Sequence, residues 1–188
     1  MSRVAILGGG SWGTGLAVVL ARSRRRHEVR LWAREQEVAQ SIQEQRENHA
    51  YLPGIEIPTC VQASGDLGAV VRDAQIVVGV VPSEHARAVY LRAAPCVSPD
   101  APIVSATKGL EPATHLRMSE VIQQAFALRF IPQIAVLSGP SFALEAARGD
   151  PTGVVLAAQD RAGATIQEMT SRTVGGDRPV LSSVEIRL

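Results

Sequence analysis

Apolar residues along this chain fall into short β-rich runs separated by longer stretches of helical spacing. Val4-Ala5-Ile6-Leu7 is a short apolar run closed by glycines, and Gly13 to Arg22 continues with a helical apolar face. Val29-Arg30-Leu31-Trp32 predicts the next strand, and Gln36 to Glu47 a polar helix. Ile76 to Val81 (IVVGVV) is nearly all apolar, as a strand buried on both faces of a parallel sheet must be. Ile103 to Ala106 and Ile134 to Leu137 repeat that pattern, and Val154 to Leu156 offers a last strand. Met118, Val121, Ile122, Ala125 and Phe126, spaced 3,1,3,1, make one stripe along a helix. Strands that alternate with crossover helices predict a doubly wound, mostly parallel α/β sheet with helices on both faces, because parallel neighbours need a long right-handed return. Two stretches break the rhythm: Asn48 to Pro58, rich in Pro and Gly, and the tail after about Ala158. The expected division is therefore a domain over residues 1–158 followed by residues 159–188, either a divergent segment or the truncated start of a further domain.

Composition narrows the classes. The chain has 188 residues and is 46% hydrophobic, enough for one sizeable core and short for two full domains. With 19 Lys and Arg against 18 Asp and Glu, the net charge of +1 gives no bulk attraction to nucleic acid or an anionic membrane. The one basic run, Arg24-Arg25-Arg26, reads as a solvated helix-to-strand turn. Cys60 and Cys96 form no CxxC pattern, and His27, His49, His85 and His115 lack the i,i+4 spacing that pairs imidazoles on a helix. No disulfide framework and no metal site are expected. No apolar run approaches the ~18–20 residues needed to span a bilayer, so a cytoplasmic protein without membrane insertion is expected.

Chemistry concentrates at Gly8-Gly9-Gly10-Ser11-Trp12-Gly13, which satisfies G-x-G-x-x-G directly after a strand and at the start of a helix. In that context Gly8 permits a tight turn, Gly10 lets the backbone approach a pyrophosphate, and Gly13 allows close helix–strand packing. The free amides of the helix N-terminus favour the anion. A P-loop shares the Gly8/Gly13 spacing but fails at Thr14, where its lysine should stand. The ligand predicted is NADP or NAD. A site for NAD expects an acid about 20 residues past the glycines, to bond the ribose 2′-hydroxyl. Here Trp32-Ala33-Arg34 stands at that point, and a guanidinium suits a 2′-phosphate by charge and by its planar donor fork. NADP is therefore favoured, although Glu35 adjoins the arginine.

Further segments carry a resemblance: LWAR at 31–34, YLPG at 51–54, VPS at 81–83, TKGLE at 107–111, SGPSFALE at 138–145 and GDPTG at 149–153. Together with GGGSWGTGLA at 8–17, in that order, the chain resembles the N-terminal domain of bacterial NAD(P)-dependent glycerol-3-phosphate dehydrogenases over residues 1 to about 157. The resemblance implies hydride transfer between NAD(P)H and dihydroxyacetone phosphate, giving sn-glycerol 3-phosphate for phospholipid synthesis. It implies dinucleotide contacts from Ser11, Trp12, Arg34 and Ala143, contacts to both cofactor and substrate from Lys108, and substrate contacts from Gly139 and Ser141. A homodimer of full-length members is among the assemblies it allows.

Local chemistry fits these roles. Lys108 follows a predicted strand and so falls at the carboxyl edge, where open α/β sheets bind ligands. Its ammonium suits a phosphate, or a carbonyl oxygen on which alkoxide charge develops. Ser141 precedes a helical pattern, either to cap it or to offer a hydroxyl to a ligand. Pro82 and Ser83 are placed to line the cofactor crevice. Beyond about Ala158 the resemblance fades. The helical C-terminal domain of the family, with its acid/base lysine, has no counterpart in these residues, and Lys108 is the sole lysine. The 188 residues are accordingly expected to bind dinucleotide with negligible turnover. A non-catalytic NAD(P)-binding sensor module is the competing expectation.

Overall fold

The computed structural model describes residues 2–23, 27–158 and 181–187. The basic turn Arg24–Arg26 and most of the 159–188 tail lie outside them. The first strand, β1 (Arg3–Leu7), runs into the glycine turn, and helix α1 (Ser11–Ala21) follows at once. Next come β2 (Glu28–Trp32), α2 (Gln36–Gln45), β3 (Val61–Ser64), α3 (Leu67–Val71) and β4 (Ile76–Gly79). The chain continues with α4 (Ser83–Ala93), β5 (Ile103–Ser105), α5 (Met118–Phe126), β6 (Ile134–Ser138), α6 (Ala143–Arg148), β7 (Thr152–Ala158) and β8 (Leu181–Arg187).

The strands form one sheet in the order β3-β2-β1-β4-β5-β6-β7-β8. Pairing is parallel from β3 through to β6, turns antiparallel between β6 and β7, and is parallel again between β7 and β8. The expected doubly wound, mostly parallel sheet is thus present. Part of the expected divergent segment, residues 181–187, joins its edge.

Alternation along each strand divides the interior into two layers. Val4 and Ile6 of β1, with Val29, Leu31, Ile76 and Val78, pack under α1, α2 and α6. Ala5 and Leu7, with Trp32, Val77 and Ile103, face α3, α4 and α5. Both sides of the central strands are therefore buried, which is why IVVGVV shows no polar alternation. The stripe read from Met118 to Phe126 is fully buried on the second layer.

Three elements have weaker sequence signals. Strand β3 is only VQAS, with one exposed and one half-buried position. Helix α3 is short and depends on Asp66, whose carboxylate accepts the Ala69 N–H at 3.1 Å. Helix α4 presents Ala86, Val89, Tyr90 and Ala93 inward along an otherwise polar sequence. Helix α2 stops two residues short of the expected Glu47 because Arg46 adopts a left-handed conformation (φ 56°) that ends the helical turn.

Candidate dinucleotide site

The carboxyl ends of β1, β2, β4 and β5 open onto a cavity of about 400 Å³. Its walls include Gly8 to Trp12 from the glycine turn and Trp32, Arg34 and Glu35 from the end of β2. Val80 to Pro82 after β4, and Ala106 to Lys108 after β5, complete the floor and far side. The cavity sits where the sheet order reverses between β1 and β4, since β1 leads out to β2 and β3 on one side while β4 and β5 extend the other. That reversal is where open α/β sheets take their ligands.

The three motif glycines separate by cause. Gly8 has φ +132°, and a Cβ there would stand 2.6 Å from the Val80 carbonyl oxygen. A Cβ on Gly13 would lie 1.9 Å from the Gly8 carbonyl oxygen. Both are demanded by the fold itself, which needs strand, turn and helix in close contact. Gly10 is different. It is the N-cap of α1 at φ −72° and ψ −177°, open to any residue, and its Cβ would meet nothing within 4 Å. Space kept clear at a cavity wall, beside the N-terminus of an eleven-residue helix, suits an anionic group brought close to backbone. The donor set therefore fits a dinucleotide pyrophosphate.

Arg34 lines the cavity and is largely exposed, as its predicted role requires. It is not free. Its Nη2 and Nε donate to Glu35 Oε1 at 2.7 and 3.0 Å. The hydrogen bond and charge of Glu35 hold the guanidinium above its ordinary pKa, while Arg34 draws the Glu35 carboxyl below the usual range. Beneath them Trp32 stays buried, its indole N–H donating to the Gly65 carbonyl at 3.0 Å.

Lys108 is exposed on the far side of the cavity, and its Nζ donates to the Ser141 carbonyl at 3.1 Å. The predicted substrate contacts, Lys108, Gly139 and Ser141, are thus brought together. Ser141 is buried, with its hydroxyl 3.4 Å from the Gly139 carbonyl oxygen. The N-cap of α6 is Phe142 rather than Ser141, and no side chain caps that helix, so capping is not the serine's role. Gly139 has φ +143°, and a Cβ there would meet the Gly153 carbonyl oxygen at 2.6 Å. Ala143 lies away from the cavity walls, its backbone against Gly15 of α1.

The loop carrying Lys108 is anchored at both ends. Thr107 Oγ1 donates to the Val81 carbonyl at 2.9 Å. Buried Glu111 accepts Arg87 Nε and Nη2 at 2.8 and 2.7 Å, and Thr114 Oγ1 also donates to it. Arg87 and Thr114 together hold the Glu111 carboxyl down at about 2. Sequence reasoning did not single out Arg87, Glu111, Asn48, Tyr51 or His85. Tyr51 and His85 line the cavity, and only membership of YLPG and proximity to VPS marked their neighbourhoods. Among the described residues no group of three or more His, Cys, Asp or Glu is placed to hold a metal, and no helix is long and apolar enough to cross a membrane.

A glycine turn between β1 and a helix, at the reversal of a mostly parallel sheet, defines a dinucleotide-binding Rossmann domain. Residues 3–164 match the family model described as the N-terminus of NAD-dependent glycerol-3-phosphate dehydrogenase, and the chain belongs to that family. Two similar relatives are NAD(P)+ glycerol-3-phosphate dehydrogenases. The one from Koribacter versatilis is 48% identical over 160 residues, covering 85% of this chain and 47% of that protein. The one from Acidobacterium capsulatum is 45% identical over 166 residues, covering 86% and 49%. The crystal structure of glycerol-3-phosphate dehydrogenase from Coxiella burnetii superposes with a TM-score of 0.85 at 32% identity, over 98% of this chain and 54% of that one. The chain spans about half the length of these relatives. Its cofactor class is that of the family, a nicotinamide dinucleotide.

Proposed function

We propose that this chain is the dinucleotide-binding part of a cytoplasmic NAD(P)-dependent glycerol-3-phosphate dehydrogenase, with residues 1–158 as its folding unit. Its reaction interconverts dihydroxyacetone phosphate and sn-glycerol 3-phosphate for glycerophospholipid synthesis. The observation that carries this reading is the convergence of the Gly8–Gly13 turn, Arg34 and Lys108 on one cavity. A nicotinamide dinucleotide held by these residues would supply or accept the hydride. The chain's own residues bind and orient: the Gly10, Ser11 and Trp12 turn takes the pyrophosphate, with Gly8 and Gly13 shaping it, and Arg34 takes a 2′-phosphate. The Lys108 ammonium faces the substrate oxygen or phosphate, where a cation offsets developing negative charge. Gly139 and Ser141 lie outside the cavity walls and are linked to them by the Lys108–Ser141 contact, and Ala143 stands at the adjoining α1–α6 contact.

NADPH is the preferred coenzyme in this reading, and NADH is also accepted because Glu35 competes for the Arg34 guanidinium. Calorimetric titration of NADPH, followed by dihydroxyacetone phosphate onto the complex, tests the assignment. Saturable binding in both steps is expected, with the second lost in Lys108→Ala. NADPH binding with no response to dihydroxyacetone phosphate would overturn the substrate assignment; no NADPH binding would overturn the whole reading.

A further inference from the structure

Asn48 opens the Pro- and Gly-rich stretch that broke the sequence rhythm, yet it is fully buried. Its Nδ2 donates to the Gly9 carbonyl at 2.9 Å and to Thr14 Oγ1 at 2.8 Å. Its Oδ1 accepts the Tyr51 N–H at 3.1 Å, and its main-chain carbonyl accepts the Leu52 N–H at 2.9 Å. Thr14 is equally buried, with its hydroxyl 3.4 Å from the Gly9 carbonyl. One side chain thus ties together the glycine turn, the first helix and the loop bearing Tyr51. Gly9, Gly10 and Tyr51 all line the cavity.

The consequence follows from peptide geometry. The Gly9–Gly10 peptide is trans and planar, so its carbonyl and its N–H point in opposite directions. With the Gly9 carbonyl held inward by Asn48, the Gly10 N–H is turned the opposite way, and Gly10 lines the cavity. Were the carbonyl released, the peptide could rotate and present an oxygen to an approaching anion. Gly9 cannot gain rigidity from a side chain of its own, because a Cβ there would lie 2.6 Å from Ala33 Cβ. The restraint has to come from outside the turn, and buried donors of this kind are costly to leave unpaired.

We propose that Asn48, acting with Thr14, is a positioning residue for the dinucleotide pyrophosphate, aiming the Gly10 N–H into the cavity by holding the Gly9 carbonyl inward. This rests on the dinucleotide reading above, and the test separates the two. The dissociation constants of NADPH and of adenosine 2′-monophosphate, which lacks a pyrophosphate, are measured for wild type, Asn48→Ala, Thr14→Val, their double variant and Thr14→Ser. All titrations are made at one temperature well below the lowest melting point.

Asn48→Ala is expected to weaken NADPH about tenfold and Thr14→Val about threefold, as loss of oriented hydrogen bonds predicts. The double variant is expected to match Asn48→Ala, because both act through one contact. Adenosine 2′-monophosphate is expected to bind all of them within about twofold of wild type. Thr14→Ser, which keeps the hydroxyl but loses a buried methyl, is expected to melt lower while binding NADPH normally, a separation that a merely structural role does not give. NADPH affinity unchanged in Asn48→Ala and Thr14→Val, or both ligands weakened in step, would overturn the inference while leaving the dinucleotide reading standing. If Asn48→Ala does not fold, the contrast between Thr14→Val and Thr14→Ser decides alone, and equal affinity in those two overturns it. Failure of wild type to bind NADPH would remove the reading and the inference together.

Discussion

Replacing Gly10 by valine should separate binding from folding, whereas replacing Gly13 by alanine should not. At Gly10 the backbone (φ −72°, ψ −177°) is ordinary extended N-cap geometry, and a Cβ meets nothing within 4 Å. The folding cost is then only that of a poor N-cap residue, about 1 kcal/mol, or about 2–4 °C in melting temperature for a chain of this size. The same branched side chain stands where backbone and phosphate must meet. Losing two charge-assisted hydrogen bonds, each about 1.5–3 kcal/mol, corresponds to about a hundredfold or more in affinity. At Gly13 an alanine Cβ would sit 1.9 Å from the Gly8 carbonyl oxygen, with Gly8 itself held at φ +132° against Val80. Backbone on both sides leaves nothing flexible to yield, so more than about 4 kcal/mol of destabilisation is expected. NADPH fluorescence titration beside thermal unfolding reads both effects. A folded Gly10→Val protein that binds NADPH like wild type would refute the placement of the pyrophosphate, and a Gly13→Ala protein as stable as wild type would refute the packing argument.

Arg34→Ala is expected to weaken NADPH about tenfold more than NADH, and Glu35→Gln to widen the preference for NADPH a few-fold by freeing the guanidinium, both effects shrinking in high salt; equal losses for the two coenzymes in Arg34→Ala would show that Arg34 does not read the 2′-phosphate. The Glu111 carboxyl is held at about 2 in the folded chain against 4.5 for the free group. A depressed folded-state pKa stabilises above the unfolded value, so this contribution is present above about pH 4.5 and lost as pH falls toward about 2. Melting temperature should therefore fall across that window, and less steeply in Glu111→Gln; identical slopes would mean that the Arg87–Glu111 pair does not contribute. Glu35 and Glu120 are also held low by Arg34 and Arg117, so some slope is expected to remain.

Much of the fold was legible because the central strands are buried on both faces, leaving apolar runs such as IVVGVV that no loop would tolerate. The glycine turn was legible for a related reason: Gly8 and Gly13 answer to backbone contacts that follow from strand and helix being adjacent. Strand β3 was not legible, since four residues with one exposed position give too little pattern. Helix α4 hid its buried face behind Ser83, Glu84, His85 and Arg87; of these His85 lines the cavity and Arg87 holds Glu111, while Ser83 stands outside the cavity walls. Asn48 was the least legible residue of the site. Its importance lies in where its amide points across 39 residues of sequence to Gly9, and spacing along the chain carries no trace of that. Arg34 was read for its charge, but its pairing with Glu35 depends on a rotamer that sequence does not specify.

The central claim is that a nicotinamide dinucleotide binds across the carboxyl ends of β1, β4 and β5, with its pyrophosphate on the Gly8–Gly13 turn. Amide chemical-shift mapping during an NADPH titration of the isotope-labelled chain tests it residue by residue. Saturable shifts are expected at Gly8, Gly10, Ser11 and Trp12, at Arg34, and at Thr107 and Lys108, with the Trp32 indole N–H moving at the same concentration. The exposed apolar turn at Leu128 and Ile131, outside the cavity walls, should stay still. Saturable shifts centred on that turn, with the glycine amides unmoved, would contradict the account.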